Sequence, residues 1–277
     1  MRQQHQLQPF ESYLESGLQL HTEEDGAVLW IVFNRPDKMN AVNWKLSTAL
    51  QSICVAFPVL GFGPGPLWVV VFAGNGRNFS AGLDFTGSDK EVTDVPGPQG
   101  LTQATIACVH GPLTGLGLAT ALSCDVRIAS PTFRCSIGAN RLGLSGGDIG
   151  LSYLLRSLCG SSNANVLMMT HRWMDAGKAL RTGLVSEVVE ESEAEGEEKG
   201  VLREAGRVMA RDMLQLTRPG LLYTKQLVLM TESNAILQAA IIAEDAVQMA
   251  TAGEPEAQAY GAAFRGKITK GRPPPKL

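Results

Sequence analysis

Residues 108–128 read CVHGPLTGLGLATALSCDVRI, and this stretch decides the fold that the sequence predicts. The run at residues 105–109 contains β-branched residues and predicts a strand, which a His-Gly-Pro turn ends. An Ala-rich helical pattern follows from Gly115. Gly115 and Gly117 flank Leu116, so a ligand can approach the backbone where the first N–H groups of the helix lack partners, a position that suits an anion. The alternative is that the glycines only allow tight helix-strand packing.

The composition predicts an intracellular protein without a membrane span. The chain has 277 residues, of which 44% are hydrophobic and 18% charged, and a chain of this size buries roughly three quarters of its unfolded surface in one large or two small domains. A net charge of −3 and a pI near 5.9 exclude the basic footprint of nucleic-acid binding. The longest apolar runs, such as residues 67–73, are far shorter than the about 20 residues that span a bilayer, and residues 1–10 are too polar for a signal peptide.

The cysteines and histidines predict neither a disulfide framework nor a metal site. The five cysteines form no C-x-x-C pair and lie in apolar surroundings, which is typical of reduced core residues. The four histidines show no H-E-x-x-H motif and no clustered spacing.

The order of the predicted elements divides the chain into three parts. Residues 1–25 form a polar, weakly patterned N-terminal arm, residues 26–195 mix strands and helices, and residues 196–277 contain helices only. Strands are predicted at residues 27–33, 67–73, 105–109, 126–129 and 133–137. Helices are predicted at residues 43–56, 149–158, 163–169, 176–182, 199–214, 219–230, 235–250 and 256–264. A mixed α/β core with a helical C-terminal region fits this order.

Two glycine loops match known motifs but stand in the wrong context. The Gly-Asn-Gly turn at residues 74–76 follows a strand, but Phe79 stands where a dinucleotide fingerprint requires its third glycine. Residues 143–147 (GLSGG) match the nucleophile elbow around Ser145, but a poor central strand precedes them and His171 follows too closely. We favour a loop that shapes a helix start here, and a serine hydrolase at Ser145 is the least favoured of the functional alternatives.

A third interpretation joins two of the glycine loops. Leu83 follows the Ser-Ala-Gly sequence at residues 80–82, and Leu116 follows Gly115. Each therefore offers a backbone N–H in a glycine-opened turn after an apolar strand. Two converging N–H groups form an oxyanion hole, and the removal of one such donor typically costs about 3 to 4 kcal/mol of transition-state stabilisation. The pair predicts an enzyme that stabilises negative charge on a substrate oxygen.

These residues resemble the enoyl-CoA hydratase/isomerase (crotonase) superfamily. Residues 34–41 (NRPDKMNA) look like the family's N-R-P-x-x-x-N-A motif, residues 78–84 (NFSAGLD) like its F-S-A-G-x-D loop, and residues 109–125 like its second oxyanion loop and buried helix. Further matches, in family order, lie at residues 141–155, 175–185 and 262–264. The resemblance extends over residues 26–267.

The resemblance implies an α/β fold, a crotonase-like spiral of ββα units with a helical C-terminal trimerisation region, in a homotrimer or a dimer of trimers. It implies an acyl-CoA thioester as the substrate and no cofactor apart from the CoA of that substrate. The thioester carbonyl would lie between the N–H groups of Leu83 and Leu116. The implied substrate-binding residues are Lys38, Ala41, Ala81, Gly82, Asp84, Gly115, Phe264 and Lys267. Of these, Phe264 and Lys267 would reach CoA from a neighbouring subunit.

The sequence lacks acidic residues at the two positions where members of the family carry the acids that hydration needs. One carboxylate must activate water and another must handle the α-proton, but the matching positions are Ala119 and Ala139. Leu116 also replaces a family glycine, and its side chain narrows the acyl pocket. Asp148 aligns with the acidic residue that dienoyl-CoA isomerases of the family carry at a helix start. Its alternative role is a helix N-cap worth about 1 kcal/mol.

We therefore predict an acyl-CoA enzyme that stabilises a thioester enolate, with isomerase-type activity in fatty-acid or related acyl-CoA metabolism and Asp148 as the proton carrier. The alternatives are an enoyl-CoA hydratase, which is a lyase, and an acyl-CoA-binding subunit that has lost catalysis. The C-terminal Pro-Lys-Leu resembles the peroxisomal S-K-L address with Pro275 in place of serine. A peroxisome-type organelle, a mitochondrion and the cytoplasm all stay open as locations.

Overall fold

Two sheets, of six and three strands, form the strand layers of the fold. The computed structural model describes residues 15–56, 67–84, 98, 101–139, 149–170, 172–190, 197–232, 254–255 and 258–259. The strands are β1 (Leu18–Glu23), β2 (Val28–Phe33), β3 (Val69–Gly74), β4 (Ala104–Val109), β5 (Pro112–Thr114), β6 (Val126–Ala129), β7 (Arg134–Ser136), β8 (Met174–Asp175) and β9 (Glu187–Val188). The larger sheet has the strand order β1-β2-β3-β4-β6-β9, and the smaller has the order β5-β7-β8.

The larger sheet is parallel except at one edge. Strand β1 runs antiparallel to β2, whereas β2, β3, β4, β6 and β9 run parallel to one another. Strands β2, β3 and β4 are buried at every position, as expected of parallel strands covered on both faces. Because the strands are parallel, the loops that follow β3 and β4 leave the sheet at the same edge.

Six helices cover the sheets in the part of the chain that the structure describes. They are α1 (Trp44–Ala56), α2 (Gly115–Leu122), α3 (Leu151–Thr170), α4 (Ala176–Arg181), α5 (Glu197–Leu214) and α6 (Arg218–Glu232), and short 3₁₀ turns lie at Glu24–Gly26 and Pro36–Lys38. The predicted cap of α1 is confirmed, because Asn43 Oδ1 accepts from Leu46 N at 3.0 Å. Gly160 has a non-helical conformation inside α3, where it joins two segments that the sequence predicts separately.

The hydrophobic core has two parts, one on each face of the larger sheet. On one face, Phe72 belongs to a cluster that includes Leu46 of α1 and Leu155 of α3. On the other face, Val71 belongs to a cluster that includes Leu202 of α5. Consecutive residues of β3 therefore point into different clusters, which explains why the strand is apolar at every position.

Two predicted segments differ in detail from the structure, and two predicted helices lie wholly or largely outside the described residues. The sheet begins inside the predicted polar arm, because residues 18–23 form β1 and Leu18 is buried in the core. Strand β9, at Glu187–Val188, is not among the strands that the sequence predicts. The predicted helix at residues 235–250 lies outside the described residues, and of residues 256–264 only 258–259 are described, as helix.

The cysteines behave as the sequence predicts. All five are free and buried, and burial raises the pKa of the Cys54 thiol to about 11 and those of Cys108 and Cys135 to about 12. Within the described ranges, no group of three or more His, Cys, Asp or Glu side chains could hold a metal ion. None of the helices that the structure describes combines the length and apolar character needed to cross a membrane.

An ion pair between a buried lysine and a partly exposed aspartate attaches α6 to the sheet. Lys225, which is 5% exposed, places its Nζ 3.0 Å from Asp125 Oδ2 and donates to Gln103 O at 2.7 Å. The same carboxylate oxygen accepts from Thr105 N at 2.7 Å and from Thr105 Oγ1 at 2.8 Å. One carboxylate therefore holds both the start of β4 and the helix that packs over it.

We expect Asp125→Ala to lower the free energy of unfolding by about 1 to 3 kcal/mol, because it leaves the buried Lys225 ammonium without its partly exposed carboxylate partner. The matched control is Asp212→Ala, at an exposed position of α5, which should leave stability nearly unchanged. Urea unfolding followed by circular dichroism, at one protein concentration, measures both. Equal stability of the two variants would show that the pair does not hold α6.

Candidate active site

The loop after β3 touches the start of α2 at two glycines. A Cβ added to Gly82 would lie 2.9 Å from Thr114 O and 3.5 Å from Gly115 Cα. Gly82 has φ +90° and Gly115 has φ +51°, a region that glycine enters without steric cost. Thr114 Oγ1 also donates to Ala81 O at 2.7 Å. The missing side chains let the two backbones touch, and the threonine ties them together.

Within the described residues, the N–H groups of the two predicted oxyanion donors have no hydrogen-bond acceptor. Leu83 forms an isolated parallel bridge with Val42, in which Gly82 O accepts from Val42 N and Asp84 N donates to Val42 O. In such a bridge the middle residue turns its own N–H to the opposite side. Leu116 is the second residue of α2, where backbone N–H groups lack intrahelical acceptors. Among the described residues, neither N–H finds another acceptor.

Asn40 supports the loop after β3 from beneath. Its side chain is buried, and its Nδ2 donates to Asn75 O at 2.7 Å and to Asn78 O at 2.9 Å. Its Oδ1 accepts from Arg35 N at 2.8 Å. Ser80 Oγ completes the contact by donating to Asn40 O at 2.8 Å. These bonds fix the backbone of the loop that carries Leu83.

An ion pair fixes the end of the same loop. Arg35 Nη2 lies 2.9 Å from Asp84 Oδ2, with side chains that are 19% and 6% exposed, and Arg35 Nη1 donates to Ala41 O. Of the predicted substrate-binding residues, Asp84 therefore directs its carboxylate to Arg35. Lys38 is exposed on the preceding 3₁₀ turn, and Ala41 is nearly buried.

Ala119 and Ala139, which stand where the resemblance expects two acids, have apolar surroundings. Ala119 on α2 is buried, and Ala139 is partly buried and packs against the same core cluster. The Leu116 side chain belongs to that cluster too. Neither alanine can accept or release a proton.

Several predicted site residues cannot be placed. Asp148, Phe264 and Lys267 lie outside the described residues, as do Ser145 and His171. The structure therefore brings together Ala81, Gly82, Leu83, Asp84, Gly115 and Leu116.

The turn at residues 74–76 runs directly into the irregular loop described above. No helix begins within the described residues 75–84. A Cβ added to Gly74 would lie 2.8 Å from Phe79 Cα, so the glycine serves a close approach within its own loop.

The sequence alone did not single out the residues that position the loops. Arg35 and Asn40 belong to the N-R-P-x-x-x-N-A motif, and Thr114 precedes the first glycine of α2. A signal for the first two was present, because strongly polar residues between a buried strand and a helix have to find buried partners. Thr114 gave no such signal, since threonine is common before a helix.

Comparisons with known proteins point to one family. The model of a family described as enoyl-CoA hydratase/isomerase matches residues 23–251. A probable enoyl-CoA hydratase of Mycobacterium bovis is 33% identical over 267 residues, covering 86% of this chain and 87% of that protein.

Solved structures give the same result. A monofunctional enoyl-CoA isomerase from M. smegmatis is 31% identical with a TM-score of 0.68, over 82% of this chain and 98% of that chain. A Thermobifida fusca YX protein, provisionally an enoyl-CoA hydratase and solved in complex with CoA, is 27% identical with a TM-score of 0.72, over 87% and 94% of the chains. These relatives are bacterial, which gives no support to the predicted organelle addresses.

We expect Gly82→Ala to lower the free energy of unfolding by about 2 kcal/mol or more, because alanine is strained at this φ and its Cβ would overlap Thr114 O. The matched control is Gly200→Ala in α5, where an added Cβ meets nothing within 4 Å. That variant should gain about 0.5 to 1 kcal/mol. Chemical unfolding of the two proteins checks the prediction, and a Gly82→Ala variant as stable as the parent would contradict the close contact.

Proposed function

Because the chain belongs to the enoyl-CoA hydratase/isomerase family, we propose that it binds an acyl-CoA thioester and stabilises the enolate between the N–H groups of Leu83 and Leu116. The crotonase fold predicted for the chain is that of its structural relatives. The observation that carries the proposal is the contact of Gly82 with Gly115, since it brings two donor-bearing turns to one place.

The proposed chemistry depends on the atom of the thioester that becomes negatively charged during the reaction. Removal of the α-proton of a thioester moves negative charge onto its carbonyl oxygen. Two fixed N–H donors stabilise that charge without reorganising, and each contributes about 3 to 4 kcal/mol in comparable sites. Leu116 adds the positive end of a helix dipole, because its N–H belongs to the first turn of α2.

Isomerisation is the reaction that these residues favour. Hydration needs two proton-transfer groups and a water molecule, whereas migration of a double bond moves one proton between the α and γ carbons and can use a single carrier. Ala119 and Ala139 provide no carrier. We assign that role to Asp148, because it matches the acidic residue that the resemblance gives to the dienoyl-CoA isomerases of the family. The isomerase among the structural relatives is consistent with this choice.

In this proposal, the protein binds its substrate through the CoA group. The T. fusca relative was solved in complex with CoA, and Lys38, Ala41, Ala81 and Gly115 lie on or beside the two loops. Phe264 and Lys267 would complete the CoA site from a neighbouring subunit of a trimer. The reaction would belong to fatty-acid or related acyl-CoA metabolism.

Two other functions have support of their own. Enoyl-CoA hydration is favoured by the names of relatives such as the M. bovis protein. An acyl-CoA-binding subunit without catalysis is favoured by Ala119 and Ala139, which pack in the core like ordinary apolar residues.

We expect the protein to convert 3-enoyl-CoA to 2-enoyl-CoA and to exchange the α-proton of an acyl-CoA with deuterium from D₂O. Asp148→Asn should lower kcat by about 10²- to 10⁴-fold, because the carrier of the proton is lost. Asp212→Asn, the matched exposed position on α5, should keep the parent rate. Absorbance at the conjugated thioester band and NMR measure the two reactions.

Three results would contradict this assignment. Hydration of 2-enoyl-CoA at a rate equal to or above isomerisation favours the hydratase. Calorimetric binding of acyl-CoA without migration or exchange across a range of chain lengths favours the binding subunit. An unchanged rate in Asp148→Asn removes Asp148 as the carrier.

A further inference from the structure

Thr114 stands where a helix cap is expected but does not cap its helix. It is the residue before α2, and its backbone is extended, with φ −141° and ψ 163°. A threonine at this position usually accepts a hydrogen bond from the N–H of the second or third helical residue, which here are Leu116 and Gly117. Within the described residues, the Thr114 side chain makes no such bond. The Thr114 hydroxyl therefore does not occupy the N–H of Leu116.

The hydroxyl of Thr114 is directed to the loop after β3 instead. Its Oγ1 donates to Ala81 O at 2.7 Å, a typical distance for a bond between a hydroxyl and a carbonyl. Gly115 has φ +51°, so the chain leaves the helical conformation between Thr114 and Leu116. This turn accounts for a hydroxyl that bonds the neighbouring loop and not the first N–H groups of α2.

The two donors of the oxyanion site rest on different parts of the fold. Leu116 follows β5, which pairs with β7 of the smaller sheet. Leu83 lies in the loop after β3, which backbone hydrogen bonds hold against residues 39–42. The hydrogen bond between Thr114 and Ala81 joins these two supports, and each of its ends lies two residues from a donor. The distance between the donors therefore depends on a bond that a single hydroxyl makes.

We propose that Thr114 is a positioning residue of the oxyanion site. By bonding Ala81 O and not capping α2, its hydroxyl leaves the Leu116 N–H available to a substrate oxygen and fixes the distance of that N–H from the Leu83 N–H. Thr114 needs no contact with the substrate for this role, and it transfers no proton. Its effect on turnover rests on the proposed function, whereas its effect on the loop does not.

Two substitutions separate the hydroxyl from the rest of the side chain. Thr114→Val keeps the shape of the side chain and removes its hydroxyl, whereas Thr114→Ser keeps the hydroxyl. The matched control is Thr182→Val, because Thr182 is half-buried like Thr114 and its hydroxyl also donates to a backbone carbonyl, Lys178 O at 2.9 Å. That bond lies at the end of α4, away from both loops. Circular dichroism shows whether the variants are folded.

The kinetic test uses the isomerisation and α-proton exchange assays on the full chain. Thr114→Val should lower kcat about 10- to 100-fold, because a misplacement of about 1 Å can cost about 100-fold. KM should change by less than about 3-fold, since charge develops on the oxygen only in the transition state. Thr114→Ser should stay within about 3-fold of the parent kcat, and Thr182→Val should equal the parent. A threonine that only stabilises the fold would lower the unfolding midpoint without changing kcat.

Amide hydrogen exchange of the peptide that contains residues 79–84 tests the loop without turnover. We expect exchange about 10-fold faster in Thr114→Val than in the parent, because local opening is easier without the bond, and parent-like exchange in Thr114→Ser and Thr182→Val. If the parent is active, an unchanged kcat in Thr114→Val, or a Thr114→Ser variant as slow as Thr114→Val, overturns the inference and leaves the proposed function standing. If the parent shows no turnover, the proposed function fails and exchange decides: equal exchange in the parent and Thr114→Val overturns the inference, and faster exchange in Thr114→Val supports it.

Discussion

The approach of Gly82 to Gly115 is the constraint on which the site depends. Adjacent parallel strands lie about 4.8 Å apart, so the chain leaves β3 and β4 at neighbouring points. Gly82 lies in the loop after β3, and Gly115 follows the short strand β5 that comes after β4, but side chains would normally separate the two segments. Glycine at both positions removes that separation. An oxyanion site requires both donors at about 3 Å from one oxygen. Donors on two different loops meet that requirement only if the loops touch, so the two glycines determine whether the site exists.

The loop after β3 lacks the regular backbone hydrogen bonds of a helix or strand. Buried side chains supply the hydrogen-bond partners of its backbone instead, which keeps the loop in contact with the start of α2. Residues 75–84 have no regular structure, so their polar backbone groups need other partners. Asn40 satisfies two carbonyls of this loop, and Arg35 holds its end through Asp84. Each such bond contributes only about 1 kcal/mol net, but a buried group left without a partner costs about 1 to 3 kcal/mol. The motif at residues 34–41 therefore acts as the support of the donor loop.

Local patterns in the sequence were sufficient to predict most helices and strands and the two glycine loops that carry Leu83 and Leu116. Strands β2, β3 and β4 are short apolar runs ended by turn residues, and Asn43 caps its helix from within one turn, so nearby residues determine them. Strand β1 was missed because its alternation is weak and its pairing with β2 supplies the stability.

The proposed chemistry is limited by what the site lacks as much as by what it holds. The stabilisation of an enolate depends on backbone donors, which survive any side-chain replacement that keeps the loops in contact. Hydration depends on carboxylates beside a bound water, and apolar surroundings such as those of Ala119 and Ala139 do not retain water. In the proposed reaction, Ala119 and Ala139 therefore provide no acid for hydration, whereas an enolate needs only the backbone donors of Leu83 and Leu116 and one proton carrier.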